Sequence, residues 1–257
     1  MELKVSLMNN NNLVVITGGG RGIGAATAKL FAQHGYQVVI NFKSDVASAQ
    51  AVENEINNSG GFCKAVQADV ATEAGVEHLF TQVDQLQGQF CALVNNVGIL
   101  QTQQRLEQIS ADRINTVLTN NVTSYFLCSR EAIKRMSTKY QKLGGAIVNV
   151  SSGASRSGSP NEYVDYAASK GAIDTLTIGL SKEVANEGIR VNCVRPGLIY
   201  TDMHADGGEA TRVERLKHII PMQRGGEPNE VANAIFWLAS ENASFTTGSF
   251  IDVTGGL

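Results

Sequence analysis

Short runs of β-branched and apolar residues recur along this chain, each followed by a stretch whose apolar positions fall at helical spacing. That alternation constrains the fold more than any other feature. Leu13 to Thr17 is the first run, followed by glycines and then a helical pattern through Ile23, Ala26 and Leu30. Further strands are expected at Gln37 to Asn41, Gly61 to Gln67, Cys91 to Asn95, Ala146 to Val150, Arg190 to Arg195 and Ser249 to Val253. Helices are expected near Asp45 to Asn58, Thr72 to Gln87, Ser110 to Met136, Glu162 to Glu187 and Pro228 to Ala239. Repeated strand-helix units imply an α/β fold, a doubly wound parallel sheet with right-handed crossovers and helices on both faces. No Pro/Ser-rich linker divides the 257 residues, so residues 13–257 are read as a single domain. Met1 to Asn12, polar and ending in a run of asparagines, reads as a disordered leader.

Hydrophobic residues make up 43% of the chain and charged residues 18%, enough apolar material for a real core. The formal net charge of -3 gives no broad positive field, which argues against nucleic acid as a partner. Cys63, Cys91, Cys128 and Cys193 are far apart and show neither a C-x-x-C pair nor metal-ligand spacing with the histidines, so free thiols and no metal are expected. No stretch approaches the roughly 18 apolar residues that span a bilayer. A cytoplasmic enzyme with a small-molecule substrate is the simplest reading.

Ligands of such a sheet bind outside the carboxyl ends of the strands. The first of these ends carries Thr17-Gly18-Gly19-Gly20-Arg21-Gly22-Ile23-Gly24. Glycines let the backbone close around a pyrophosphate, and the following helix presents its N–H groups and dipole to it. The spacing G-x-x-x-G-x-G lacks the G-K-[ST] ending of a P-loop, so an NTPase is a poor reading; a tight turn without a ligand is the plain alternative. After the second strand, Asn41 and Phe42 offer no acid for a ribose 2′-hydroxyl, while Arg21, Lys43 and Ser44 offer cations and a hydroxyl for a 2′-phosphate. NADP(H) is favoured and NAD(H) is left possible; both cations also fit an ordinary solvated surface. Asp45 is read as a helix N-cap. Asp69-Val70 and Asn95-Asn96-Val97-Gly98 follow the third and fourth strands along the same edge, as cofactor lining or as turn residues.

Tyr166 and Lys170 are four apart on an expected helix and so share one face. A phenol with a pKa near 10 is a poor base, but a neighbouring ammonium and a cationic nicotinamide would favour its phenolate. A strand ending in Asn149-Val150-Ser151-Ser152 precedes the pair and delivers hydroxyls to the sheet edge, where they can hold a carbonyl oxygen. Tyr200 to Gly226, with mixed charge and little periodicity, is either a lid or a surface excursion with a short helix.

With these residues assembled, the chain resembles the short-chain dehydrogenase/reductase family in its compact single-domain branch, with labels such as 3-oxoacyl carrier-protein reductase-like and glucose dehydrogenase-like. The resemblance runs from Leu13 to Leu257 and includes Thr17 to Gly24, Asp69, Asn95 to Gly98, Asn121 within Asn-Val-Thr-Ser-Tyr-Phe, Ser152, Tyr166, Lys170 and Pro196-Gly197. It implies a Rossmann-type sheet of about seven strands, Tyr166 as general acid/base and Ser152, rather than Ser151, orienting the substrate oxygen. Lys170 would bind the nicotinamide ribose and lower the Tyr166 pKa, and Asn121 would hold a water in the proton relay. It adds Ile199 and Thr201 to Pro196 and Gly197 as cofactor contacts, and it implies a homotetramer packed through the Ser110 to Met136 and Glu162 to Glu187 helices. Val97 departs from the family's usual Ala, and the interval from Ser152 to Tyr166 is one longer than in some related reductases. The function implied is NADP(H)-linked hydride transfer between nicotinamide and a carbonyl or alcohol. A non-catalytic NADP(H)-binding regulator of the same fold is the alternative.

Overall fold

A computed structural model describes residues 12–257. The expected leader lies outside the described residues except for Asn12, which already opens the first strand. The strands are β1 (Asn12–Ile16), β2 (Gln37–Phe42), β3 (Phe62–Gln67), β4 (Gln89–Asn95), β5 (Gly145–Val150), β6 (Ile189–Pro196) and β7 (Phe250–Val253). They form one seven-stranded sheet in the order β3-β2-β1-β4-β5-β6-β7, and every neighbouring pair is parallel. The helices are α1 (Gly22–Gln33), α2 (Val46–Asn58), α3 (Glu73–Asp84), α4 (Ala111–Leu118), α5 (Ser124–Met136), α6 (Ala154–Ser157), α7 (Val164–Glu183), α8 (Met203–Asp206), α9 (Arg212–Leu216) and α10 (Pro228–Ala239).

The central strands read as continuous apolar runs because both faces of the sheet are covered. Val14 and Ile16 of β1 pack with Ala28 and Phe31 of α1 and Ile235 and Leu238 of α10. Leu13 and Val15, pointing the other way, pack with Leu79 and Phe80 of α3 and Cys128, Ala132 and Met136 of α5. All four cysteines are free, and burial pushes each thiol up to about 12. Asp45 caps α2 as expected, accepting a hydrogen bond from the Ser48 N–H at 3.0 Å.

Two helical expectations need correction. The stretch Ser110 to Met136 is not one helix: a π-helical turn at Thr119–Thr123 separates α4 from α5. The wide turn falls where the Asn121 side chain, fully buried, bonds outward to another segment; such bulges concentrate at functional sites. The helix expected from Glu162 starts at Val164, because Ser159 and Asn161 adopt left-handed backbone conformations. It ends at Glu183, and Ala185–Glu187 forms a separate 3₁₀ turn.

Beside Tyr166, Asp165 anchors the start of α7. Arg113 of α4 clamps it through two hydrogen bonds of 2.7 and 3.2 Å and donates to the Thr102 carbonyl and Gln104 as well. The two side chains are only 10% and 3% exposed. Leaving one partner of a buried pair uncompensated costs about 3–5 kcal/mol. Asp165→Ala should therefore lower the unfolding free energy by about that amount; equilibrium urea denaturation measures it, and a change within experimental error would show that the pair is dispensable.

The strand order reverses between β1 and β4, and their carboxyl ends carry the glycine loop and the Asn95 to Gly98 segment. The crevice between them is where a doubly wound sheet accepts its ligand.

Candidate active site

At Gly19 and Gly24 the packing of the glycine loop leaves no room for a Cβ. Gly18 and Gly22 have φ of +64° and +52°, in the left-handed region that favours glycine. A Cβ on Gly24 would stand 2.2 Å from the Gly18 carbonyl oxygen and 2.7 Å from the Asn96 amide nitrogen. Asn96 ties the loop to β4, its amide nitrogen donating to the carbonyls of Thr17 and Gly18 at 3.1 Å each. The N–H groups of Asn96 and Val97 donate to the Thr17 hydroxyl. Helix α1 begins at Gly22 with no side-chain cap and no acidic residue in its first turn, so its leading N–H groups are left for an anion. A bound pyrophosphate fits this cradle.

Ser152, Tyr166 and Lys170 line one cavity of about 490 Å³, together with Ile23, Asn96, Pro196, Gly197, Ile199 and Thr201. The sequence expectation thus brings nine residues from four sheet ends into one space. Of the two serines, both of which line the cavity, Ser151 is buried and its hydroxyl donates to the Lys170 carbonyl at 3.0 Å. Ser152 faces Tyr166. Burial raises the Tyr166 pKa above its ordinary value, with the Ser152 hydroxyl acting in the opposite direction. Burial also pulls Lys170 down, to about 8. The Lys170 Nζ donates to the Val150 carbonyl at 2.9 Å and to the Tyr125 hydroxyl at 3.2 Å, and stands 5.7 Å from the centre of the Tyr166 ring.

Asn121 lies one layer behind. Its side-chain oxygen accepts from the Ile99 N–H at 2.8 Å, and its nitrogen donates to the Ile99 carbonyl at 3.1 Å and the Ser169 hydroxyl at 3.2 Å. Asn121 therefore ties the segment after β4 to α7, the helix that carries Tyr166 and Lys170. Gly98, just upstream, runs close to the same lysine: a Cβ there would stand 3.5 Å from the Lys170 Nζ, in ordinary contact.

The remaining expected cofactor contacts, Gly18, Gly20, Arg21, Gly22, Gly24, Asn41, Lys43, Ser44, Asp69, Val70, Val97 and Gly98, stand outside this cavity's wall. Arg21 pairs with Asp206 of α8, and Lys43 pairs with Asp69 at 2.8 Å. Ser44 is exposed beside them. Asn41 is corrected in one respect: its side chain is 1% exposed and donates to the Ala68 carbonyl at 2.8 Å, so the amide braces the strand ends instead of facing a ligand. The Asn41 carbonyl accepts from the Gly19 N–H, which holds the glycine loop. Val70 is likewise buried in the core and offers its backbone alone.

Tyr200 to Gly226 has the short helices of the surface-excursion reading, and part of it walls the cavity. It carries the short helices α8 and α9 and a 3₁₀ turn, and Met203, His204, Arg212, Leu216 and Ile219 wall the cavity. The His204 Nε2 bonds the Ile199 carbonyl at 3.1 Å, and burial holds the imidazole pKa below its ordinary value. Sequence reasoning missed these wall residues, as well as Tyr163 and Leu100, because nothing periodic marks them. Tyr125 was visible only as part of the Asn121 motif. Among the described residues no group of three or more His, Cys, Asp or Glu is placed to hold a metal, and no helix is long and apolar enough to cross a membrane.

Comparison with known proteins agrees with this architecture. A sequence model of the family described as Enoyl-(Acyl carrier protein) reductase matches residues 18–257. The uncharacterized oxidoreductase YgfF of Escherichia coli is 61% identical over 244 residues, covering 95% of this chain and 99% of that one. Glucose 1-dehydrogenase 2 of Bacillus subtilis is 36% identical over 244 residues, covering 95% and 93%. A doubly substituted variant of a Serratia marcescens short-chain dehydrogenase/reductase superposes with a TM-score of 0.86 at 32% identity, covering 96% of this chain and 97% of its own. Fold and relatives together define an oxidoreductase acting on CH–OH or C=O groups. The chain belongs to the short-chain dehydrogenase/reductase family.

Proposed function

We propose that this protein is an NADP(H)-preferring oxidoreductase that interconverts a carbonyl and the matching alcohol, with Tyr166 as general acid/base. The observation that carries the reading is the convergence of Ser152, Tyr166 and Lys170 on one cavity that also receives Ile23 from the uncapped end of α1. The nicotinamide cofactor, when bound, supplies or accepts hydride at the substrate carbon. The protein does the rest. Ser152 donates a hydrogen bond to the substrate oxygen, and Tyr166 gives that oxygen its proton in reduction or removes it in oxidation. Lys170 brings positive charge next to the Tyr166 ring and a free N–H toward the ribose. Asn121 keeps the chain after β4 in register with α7, and its place in the widened turn suits a water-bearing proton relay.

The preference for NADP(H) rests on Arg21, Lys43 and Ser44 at the end of β2 and in the glycine loop. Both cations have carboxylate partners and are about half exposed, and exposed pairs of this kind are held by about 0–1 kcal/mol. A 2′-phosphate, with up to two charges, displaces such partners readily. Lys43→Asp should shift the ratio of kcat/KM for NADPH over NADH toward NADH by about tenfold or more, and Arg21→Ala in the same direction by less. Steady-state kinetics with both cofactors checks this; an unchanged ratio in both variants rejects the assignment of these residues.

Exposed apolar side chains on α4, α5 and α7, namely Leu118, Phe126 and Ile178, support a homotetramer built through these helices. The acidic balance and the cavity of about 490 Å³ suit a small-molecule enzyme of the cytoplasm.

A further inference from the structure

Tyr125 is 1% exposed, on the first turn of α5, four residues after Asn121. Its hydroxyl donates to the Val150 carbonyl at 2.8 Å. With its single proton committed there, the oxygen's lone pairs are free to accept, and the Lys170 Nζ donates to it at 3.2 Å. The same Nζ donates to the same Val150 carbonyl at 2.9 Å. The three groups close a triangle in which the carbonyl accepts twice, the phenol donates once and accepts once, and the ammonium donates twice. One ammonium N–H remains, and Lys170 lines the cavity shared with Tyr166. The Tyr125 ring also lies 5.0 Å from the Nζ, so the ammonium has an aromatic face as well as an oxygen beside it.

We propose that Tyr125 is a positioning residue for this chemistry: its hydroxyl keeps the Lys170 ammonium charged and aimed so that the remaining N–H serves the site. The proposal rests on the assignment of Tyr166 and Lys170 to proton transfer given above. Burial works against Lys170 staying charged, Cys193 and Asp174 act the other way, and the Tyr125 hydroxyl and Val150 carbonyl oxygens beside the Nζ favour the ammonium as hydrogen-bond acceptors. The ionisable groups that face this cluster are Tyr166 and Asp174 on α7, Cys193 and Arg195 on β6, and Cys128 on α5. Cys128 and Cys193 are pushed up to about 12 by burial and stay neutral. Asp174 is engaged by Arg195 and the Ser155 hydroxyl, so its carboxylate is shared. Burial pushes the Tyr125 phenol itself well upward, and it therefore remains a neutral donor to Val150.

The test is a ¹³Cε NMR titration of lysine-labelled protein, native and Tyr125→Phe, with the Lys170 resonance assigned by its loss in Lys170→Arg. Loss of one acceptor should lower the Lys170 midpoint by about one pH unit, a tenfold change in its acid constant. The pH profile of NADP⁺-dependent oxidation of an accepted alcohol should move with it: less charge beside Tyr166 shifts the rising limb to higher pH, lowering kcat/KM at neutral pH while the high-pH plateau is kept. An unmoved Lys170 midpoint in a folded Tyr125→Phe overturns the proposal. Tyr125→Leu is measured in parallel; if neither variant folds and binds NADPH, the phenol is structural and the proposal falls. Turnover retained in Tyr166→Phe would instead refute the assignment on which it rests, whatever Tyr125 does.

Discussion

Tyr166→Phe should reduce kcat by about 100- to 10,000-fold, the range general acid/base catalysis contributes, while NADPH binding measured by fluorescence stays within a factor of about two. The change deletes one oxygen and keeps the ring that packs beside Lys170, so the cavity retains its shape. The direction of the pH effect in the native enzyme follows from burial. The phenol's pKa is raised, so the proton needed for carbonyl reduction is in place at neutral pH, and reduction declines only as the pH climbs through the phenol's pKa. Alcohol oxidation needs the phenolate and rises over the same interval. Native turnover in Tyr166→Phe would end the acid/base assignment. A native protein that binds NADPH tightly but oxidises it with none of a panel of keto-esters, diketones, quinones, sugars and steroid ketones would point to the regulator alternative.

Most of the fold was legible because a buried parallel strand and an amphipathic helix each write their period into the residues. Leu13 to Ile16 must be apolar at every position, since successive side chains enter two different cores. Pro228 to Ala239 reads as a helix at its full length, with proline at its first turn and a Glu227–Glu230 capping box. The failures share a cause: long-range contacts that local pattern does not encode. Asn121 breaks a continuous helical pattern because its amide reaches Ile99, 22 residues away. Asn41 looks like a ligand-facing strand end in sequence, yet its partner is Ala68, 27 residues on. The wall formed by His204 and Arg212 is tied to Ile199 and Glu162, and neither tie leaves a periodic trace.

The proposed reacting groups were legible for the opposite reason. Tyr166 and Lys170 are spaced by the helix itself, and Ser152 is delivered by the end of β5, so their convergence follows from local geometry and the sheet's topology. Preferring Ser152 to Ser151 rested on the family resemblance, because local pattern does not encode that the Ser151 hydroxyl donates to the Lys170 carbonyl. Lys170 illustrates the same limit: proximity to Tyr166 was foreseeable, but the extent to which burial works against both charged forms was not.

Gly24→Ala should put a methyl where the glycine loop has no room for one. The added Cβ would meet the Gly18 carbonyl at 2.2 Å, a backbone atom that rotation of a side chain cannot clear. Gly18 itself is fixed by the Asn96 amide, which donates to its carbonyl, and by its left-handed conformation, so relief requires the loop to move away from α1. That movement withdraws the leading N–H groups of the helix from the place where a pyrophosphate would sit. Overpacking of this kind costs about 1–3 kcal/mol of stability, and affinity for NADPH should fall by at least about tenfold, since each lost 1.4 kcal/mol of binding is a factor of ten. Calorimetric titration with NADPH and urea denaturation separate the two effects. If Gly24→Ala binds NADPH as the native chain does, the glycine loop is not the pyrophosphate site, and the cradle is only a close crossing of helix and strand.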